Sequence, residues 1–297
     1  MRYHLVLLLL IAVSGCASQS QPVFKPQIAF LNHSFAVLDQ QTADAIENSA
    51  FLHQFANFSV RTTQADGGEH WKGRYLLGRQ TYIELFGPTD GGGNPGSTGV
   101  ALSPDREGGL VTLASRLSAL GVSGLESGQR TRQLGSQQLP WFAMVNPHDD
   151  PDALAVWGME YLPGFMNDPR NEKRPARGQA DVISRARALG DGYKQYFVRD
   201  VSAVEIAATE RDVSTAQPIF VAAGFIVDRQ GRRLIAHDGQ ATVILDIVAQ
   251  QAASLRRVDF VLNRRAPEHI EQLGHSKFIV GPGLRATWVF DRPSDTP

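Results

Sequence analysis

Glu84 stands in a run of strand formers, Tyr82-Ile83-Glu84-Leu85-Phe86. Side chains alternate across a strand, so this carboxylate shares a face with Tyr82 and Phe86. A carboxylate on an aromatic face is costly to bury unpaired. It needs a metal, an arginine, or solvent at a sheet edge. Glu160 poses the same question between Met159 and Tyr161. Glu205 does so between Val204 and Ile206, where pairing with Arg or Lys would answer it equally well. His33 sits in the mostly apolar stretch Ile28 to Leu38, where an imidazole is either a hydrogen-bonded core group or a ligand.

Several other chemistries lack their motifs. There is no Gly-x-Ser-x-Gly elbow for a serine hydrolase and no His-Glu-x-x-His for a zincin. Gly91-Gly92-Gly93 is followed by no Gly-Lys-Ser/Thr, so it reads as a flexible loop within Pro88 to Thr98. His148-Asp149-Asp150-Pro151-Asp152 lacks the Gly and terminal Glu of a calcium loop and reads as a solvated turn. His70, His237, His269 and His275 lie in polar, turn-like contexts that face solvent. Trp71, Trp141, Trp157 and Trp288 fall in expected strands, as core or site-lining groups.

Cys16 is the single cysteine. It follows a short basic start, Met1-Arg2-Tyr3-His4, and an apolar run from Leu5 to Val13, too short for the roughly 20 residues that span a bilayer. This is the pattern of a secretory signal over residues 1–15. Val13-Ser14-Gly15-Cys16 resembles the bacterial lipobox, which implies lipidation at Cys16 and a membrane partner through that anchor. Ala17, not Asp, follows, which by the same resemblance implies an outer-membrane lipoprotein facing the periplasm. Residues 16–27 then read as a polar tether. A lipidated Cys16 leaves no thiol for a disulfide, a thiolate site or a nucleophile. Lys and Arg total 29 against 30 Asp and Glu, so charge makes no case for nucleic acid.

About 280 residues follow the signal, enough for two or three modules. Three segments share one layout of strand, amphipathic helix and further strands. The first is 28–88, with a helix expected over Ala43 to Phe55 after Asp39 or Thr42. The second is 99–165, where Leu110, Leu113, Ala114, Leu117 and Leu120 form one helical stripe. Residues 166–198 form a linker with a helix, and Met166 to Ala180 reads as solvated. The third segment, 199–292, caps its helix at Asp212 and carries extra strands at Val258 to Leu262, Phe278 to Val280 and Ala286 to Phe290.

Ala101 to Val122, Val204 to Val227 and Leu31 to Phe86 together resemble the glyoxalase/bleomycin-resistance/dioxygenase superfamily, also called vicinal oxygen chelate. More narrowly, the chain resembles an uncharacterised group of glyoxalase-like bacterial lipoproteins. The resemblance implies an α+β fold of repeated βαβββ modules forming cupped mixed sheets. It also implies a divalent metal in a cup, held from the first and last strands of each module. Carried over, the ligands are His33, Glu84 and Glu160, with Gly99 at the fourth position and no side chain there. In the third module Glu205 takes the first-strand position and Asp246 is a rough last-strand match. Such a set would suit Mn²⁺, Fe²⁺, Ni²⁺ or Zn²⁺, with Glu84 or Glu160 as the catalytic proton carrier. The implied function is a lyase, isomerase or dioxygenase on a small oxygen-rich molecule. The alternatives are a protein that binds a small molecule without turnover, favoured by Gly99, and a structural envelope lipoprotein. The oligomeric state stays open.

Overall fold

The computed structural model describes residues 24–65, 68–147, 150–171 and 181–291. The signal, Cys16, the start of the tether and His148-Asp149 lie outside them. The described residues form two eight-stranded mixed sheets. The architecture is α+β, built from repeated βαβββ modules in curled sheets.

The first sheet starts with β1 (Phe30–Val37), the short helices α1 (Gln40–Glu47) and α2 (Ala50–Phe55), and strands β2 (Asn57–Gln64), β3 (His70–Leu77) and β4 (Tyr82–Phe86). One continuous helix is expected here, but Ser49 starts a new one by accepting from Leu52 N. A second module follows as β5 (Thr98–Ser103), α3 (Gly109–Ala119), β6 (Leu125–Leu134), β7 (Gln137–Pro147) and β8 (Leu154–Tyr161). β1 and β5 pair antiparallel, joining the modules in the order β2-β3-β4-β1-β5-β8-β7-β6.

After α4 (Pro163–Met166) and α5 (Arg185–Leu189) the plan repeats. β9 (Val198–Ala208), α6 (Glu210–Ala223), β10 (Ile226–Gln230), β11 (Arg233–His237) and β12 (Thr242–Ile247) form one half of the second sheet. The other half is β13 (Ser254–Ala266), β14 (His269–Leu273), β15 (Ser276–Val280) and β16 (Gly283–Phe290). These final strands pair with β9 through β13 and complete the sheet within the chain. They include no helix of their own.

That missing helix is supplied by the first module. Phe51 and Phe55 of α2 meet the Phe278 ring of β15 at 5.8 Å and 5.7 Å. α3 and α6 lie against each other in the same layer, so one hydrophobic core runs through both sheets. Burial of this apolar area is the main stabilising term. Three aspartates join the halves, Asp212 and Asp238 buried and Asp200 half-buried. Asp200 accepts from Gln80 N and Thr81 N, Asp238 from Leu31 N, and Asp212 from the backbone N–H groups of Asp152, Ala153 and Leu154. Asp212 is therefore not the cap of α6; Thr209 is.

Candidate functional site

The face of the first sheet turned away from the helices is built by alternation. Ile83 and Leu85 of β4 enter the core, so Tyr82, Glu84 and Phe86 face outward into the cup. Glu84 is buried, and its Oε1 accepts from Tyr75 Oη at 2.5 Å and Trp71 Nε1 at 3.0 Å. Burial raises its pKa to about 7, against the opposing hydrogen bonds from Tyr75 and Trp71 and the charge of Arg132. Among the described residues its hydrogen-bond partners are a phenol and an indole. Burial, with the charge of Glu84 next, also pushes the Tyr75 phenol up.

His33 lies beside this group on β1. Its Nδ1 shares a 2.7 Å hydrogen bond with Asn32 Oδ1, and its ring stacks on Tyr82 at 4.4 Å. Trp157 closes the other side edge-on at 5.5 Å. Burial lowers the His33 pKa to about 3, so the imidazole is neutral at ordinary pH. Asn32 reaches the same face because β1 shifts register between Leu31 and His33, and it donates to Tyr161 Oη at 3.4 Å.

Glu160 is not part of the cup, contrary to its expected roles as metal ligand and proton carrier. A β-carbon on Gly158 would run into Leu113 and Leu110 of α3, so Gly158 and Glu160 face the helices. Trp157, Met159 and Tyr161 face the cup. The Glu160 carboxylate instead accepts from Gly108 N at 3.0 Å and Leu110 N at 2.8 Å. It caps α3, whose own N-cap residue, Gly108, has no side chain to do so.

Gly99 is not a vacated ligand position. A β-carbon there would lie 2.1 Å from Cε1 of Phe35, whose ring fills that part of the cup. In the second sheet Glu205 and Asp246 do come together, on Arg233. Arg233 binds Asp246 in a fork at 2.6 Å and 2.7 Å and reaches Glu205 at 3.2 Å. Burial and the neighbouring Asp246 raise Glu205, while Arg233 holds Asp246 down. This is a paired, partly exposed cluster.

The residues present do not fit a resident metal ion. Among the described residues no three His, Cys, Asp or Glu side chains converge. Glu160 is on the opposite face, and burial alone sets the His33 pKa, with no carboxylate acting on it.

The rest of the cup wall is aromatic. Trp71, Tyr75, Tyr82, Trp141 and Tyr161 surround Glu84, with Arg61 and Arg132 at the rim. The linker closes it. Ile183 and Ala188 pack with Met159 and Tyr161, and Leu189 packs with Leu77 and Tyr82. The space left is about 40 Å³. Arg185, fully buried, pins this plug by donating to Leu31 O at 2.7 Å and to both oxygens of Asp105 at 3.0 Å and 2.9 Å. The sequence signal for the plug is the apolar spacing of Val182, Ile183, Ala188 and Leu189, inside a segment too short to read as an element. For Tyr161 and Trp157 the signal was the alternation itself.

A family pattern covers nearly the whole of this architecture, residues 31–290. The chain belongs to DUF5829, a family of unknown function. No curated protein matches this DUF5829 chain. Among solved structures, a hypothetical protein from Staphylococcus aureus is similar at a TM-score of 0.52 and 10% identity, covering 86% of this chain and 99% of the other. A Mn(II)-bound glyoxalase from Novosphingobium aromaticivorans is similar at 0.42 and 10%, covering 87% and 81%. A catechol 2,3-dioxygenase is similar at 0.42 and 12%, covering 87% and 86%. At these identities the likeness of the DUF5829 chain to each is one of fold.

Proposed function

We propose that this protein binds a small planar molecule in its first cup, without a resident metal, as a lipid-anchored protein of the bacterial envelope. The observation that carries the binding reading is the aromatic wall around one buried carboxyl group, Glu84. Pockets for small molecules combine apolar and aromatic walls with a few placed polar groups. Glu84 Oε1 is already satisfied by Tyr75 and Trp71, and no hydrogen bond occupies Oε2 among the described residues. The signal pattern ahead of Cys16 supports the anchor. Phe24, within the tether, lies 5.2 Å from the Arg116 guanidinium of α3, and Ile28 N donates to Ala223 O at the end of α6. The first described residues thus pack on α3 and α6.

The test is metal analysis and ligand-induced thermal shift on the full chain in detergent, with His33→Ala and Glu84→Ala alongside. Binding of planar aromatic probes, weakened by Trp141→Ala and unaffected by chelator, is the expected result. Near-stoichiometric metal that both His33→Ala and Glu84→Ala abolish would overturn this reading.

One observation favours a second reading, metal-free proton transfer. Glu84, with a pKa of about 7 and a free oxygen, matches the requirement for a general base working near neutrality. That reading requires a substrate whose turnover is lost in Glu84→Gln while its binding is kept.

A further inference from the structure

We propose that Arg61 and Arg132 form an anion clamp at the mouth of the first cup, and that the ligand is a small aromatic carboxylate. This inference rests on the reading of the cup as a binding site. Arg61 comes from β2 and Arg132 from β6, the two edge strands of the first sheet, which approach each other where the sheet curls. Both side chains are half-buried and line the same cavity as Glu84.

Each arginine lies over an aromatic ring. Arg61 lies 5.7 Å from the Tyr75 centroid and Arg132 lies 4.9 Å from that of Trp141. Such stacking orients a guanidinium and leaves its N–H edge free for the bidentate bonds that a carboxylate accepts. Neither has an ion-pair partner among the described residues, whereas the fully buried Arg74 pairs with Glu47 and Asp90 and the fully buried Arg185 with Asp105. Burial lowers the Arg61 pKa, and the charge of Arg132 lowers it further. A bound anion relieves that repulsion. A cation is opposed by it, and a neutral molecule leaves it in place. Tyr82, Trp141 and Tyr161 behind the clamp favour a flat ring attached to the anion.

The ring needs more than the 40 Å³ left under Leu189. Leu189 closes the space from the end of the five-residue helix α5, so binding moves this side chain aside. Leu189→Ala therefore makes room without touching the arginines.

The probes are benzoate and phenylacetate against their uncharged amides, titrated into the full chain and into Leu189→Ala, followed by tryptophan fluorescence and calorimetry. The clamp predicts that the acids bind roughly tenfold or more tightly than the amides, as expected for charge-assisted bidentate bonds. Arg61→Gln and Arg132→Gln each bring the acids down to the affinity of the amides. Affinity of the acids falls with added salt. Amides that bind as well as acids, with no effect of either Arg→Gln change, would overturn the clamp and leave the binding cup standing. Failure of every probe to bind, in Leu189→Ala as well, would overturn both.

Discussion

Tyr75 and Glu84 face each other across β3 and β4, and the Tyr75 hydroxyl donates to the Glu84 carboxylate at 2.5 Å. This bond sits inside a wall that desolvates both groups, and desolvation wins: the Glu84 pKa rises from 4.5 to about 7. The neutral acid is the form that the fold stabilises. Below the unfolded value of 4.5 that stabilisation is complete. It is lost as pH rises through the folded value near 7. The shift corresponds to on the order of 3 kcal/mol. Glu84→Gln keeps an oxygen that can accept from Tyr75 and Trp71 and does not ionise. Denaturant unfolding of Glu84→Gln should show a flatter stability profile between about pH 4.5 and 7 and higher stability than the parent at pH 8. An unchanged profile would remove the buried-acid account.

His33 has the opposite sign. Its pKa falls from 6.5 to about 3, so its contribution is present above 6.5 and is lost as pH falls toward 3. His33→Asn, which cannot take up a proton, should lessen acid destabilisation in that window in the same unfolding series. The two windows overlap, so the single variants separate contributions that partly cancel in the parent.

Glu160→Gln should cost about 1–2 kcal/mol, the range for losing a charged cap at a helix N-terminus. It should leave ligand binding in the cup unchanged. A loss of binding with no loss of stability would place Glu160 back in the site.

Gly99→Ala should be destabilising by about 1–3 kcal/mol through overpacking against Phe35. Phe35→Ala in the same chain should recover part of that loss, because the two side chains compete for one volume. Chemical unfolding of the double-mutant cycle measures this coupling, and additivity would contradict it.

Arg185→Met should cost about 3–5 kcal/mol, since it leaves Asp105 and Leu31 O without their buried partner. Hydrogen exchange should rise first in 181–189, the plug, before it rises in β4.

Local spacing in the sequence determined a good deal. The alternation in 82–86 put Glu84 on the aromatic face, where it is found. The stripe of Leu110, Leu113 and Leu117 marked α3, whose buried face is made of those residues. The repeated strand–helix–strand layout carried the resemblance that implied the α+β architecture of repeated modules. The first two follow from periods of two or 3.6 residues, which are local features of the chain.

Tertiary structure decided the rest, because those features depend on residues far apart in the chain. Glu160 is one position away from the cup-facing Tyr161, and a shift of one residue on a strand moves a side chain to the other face. Only the docking of α3 shows which face holds the carboxylate. Gly99 cannot be told from a lost ligand until Phe35 is seen above it. The last four strands lack a helix because α2, more than 200 residues earlier, covers them with Phe51 and Phe55. The linker reads as a connection until Ile183 and Leu189 are found inside the cup. Arg61 and Arg132, 71 positions apart, share a site because the curl of the sheet brings its two edges together.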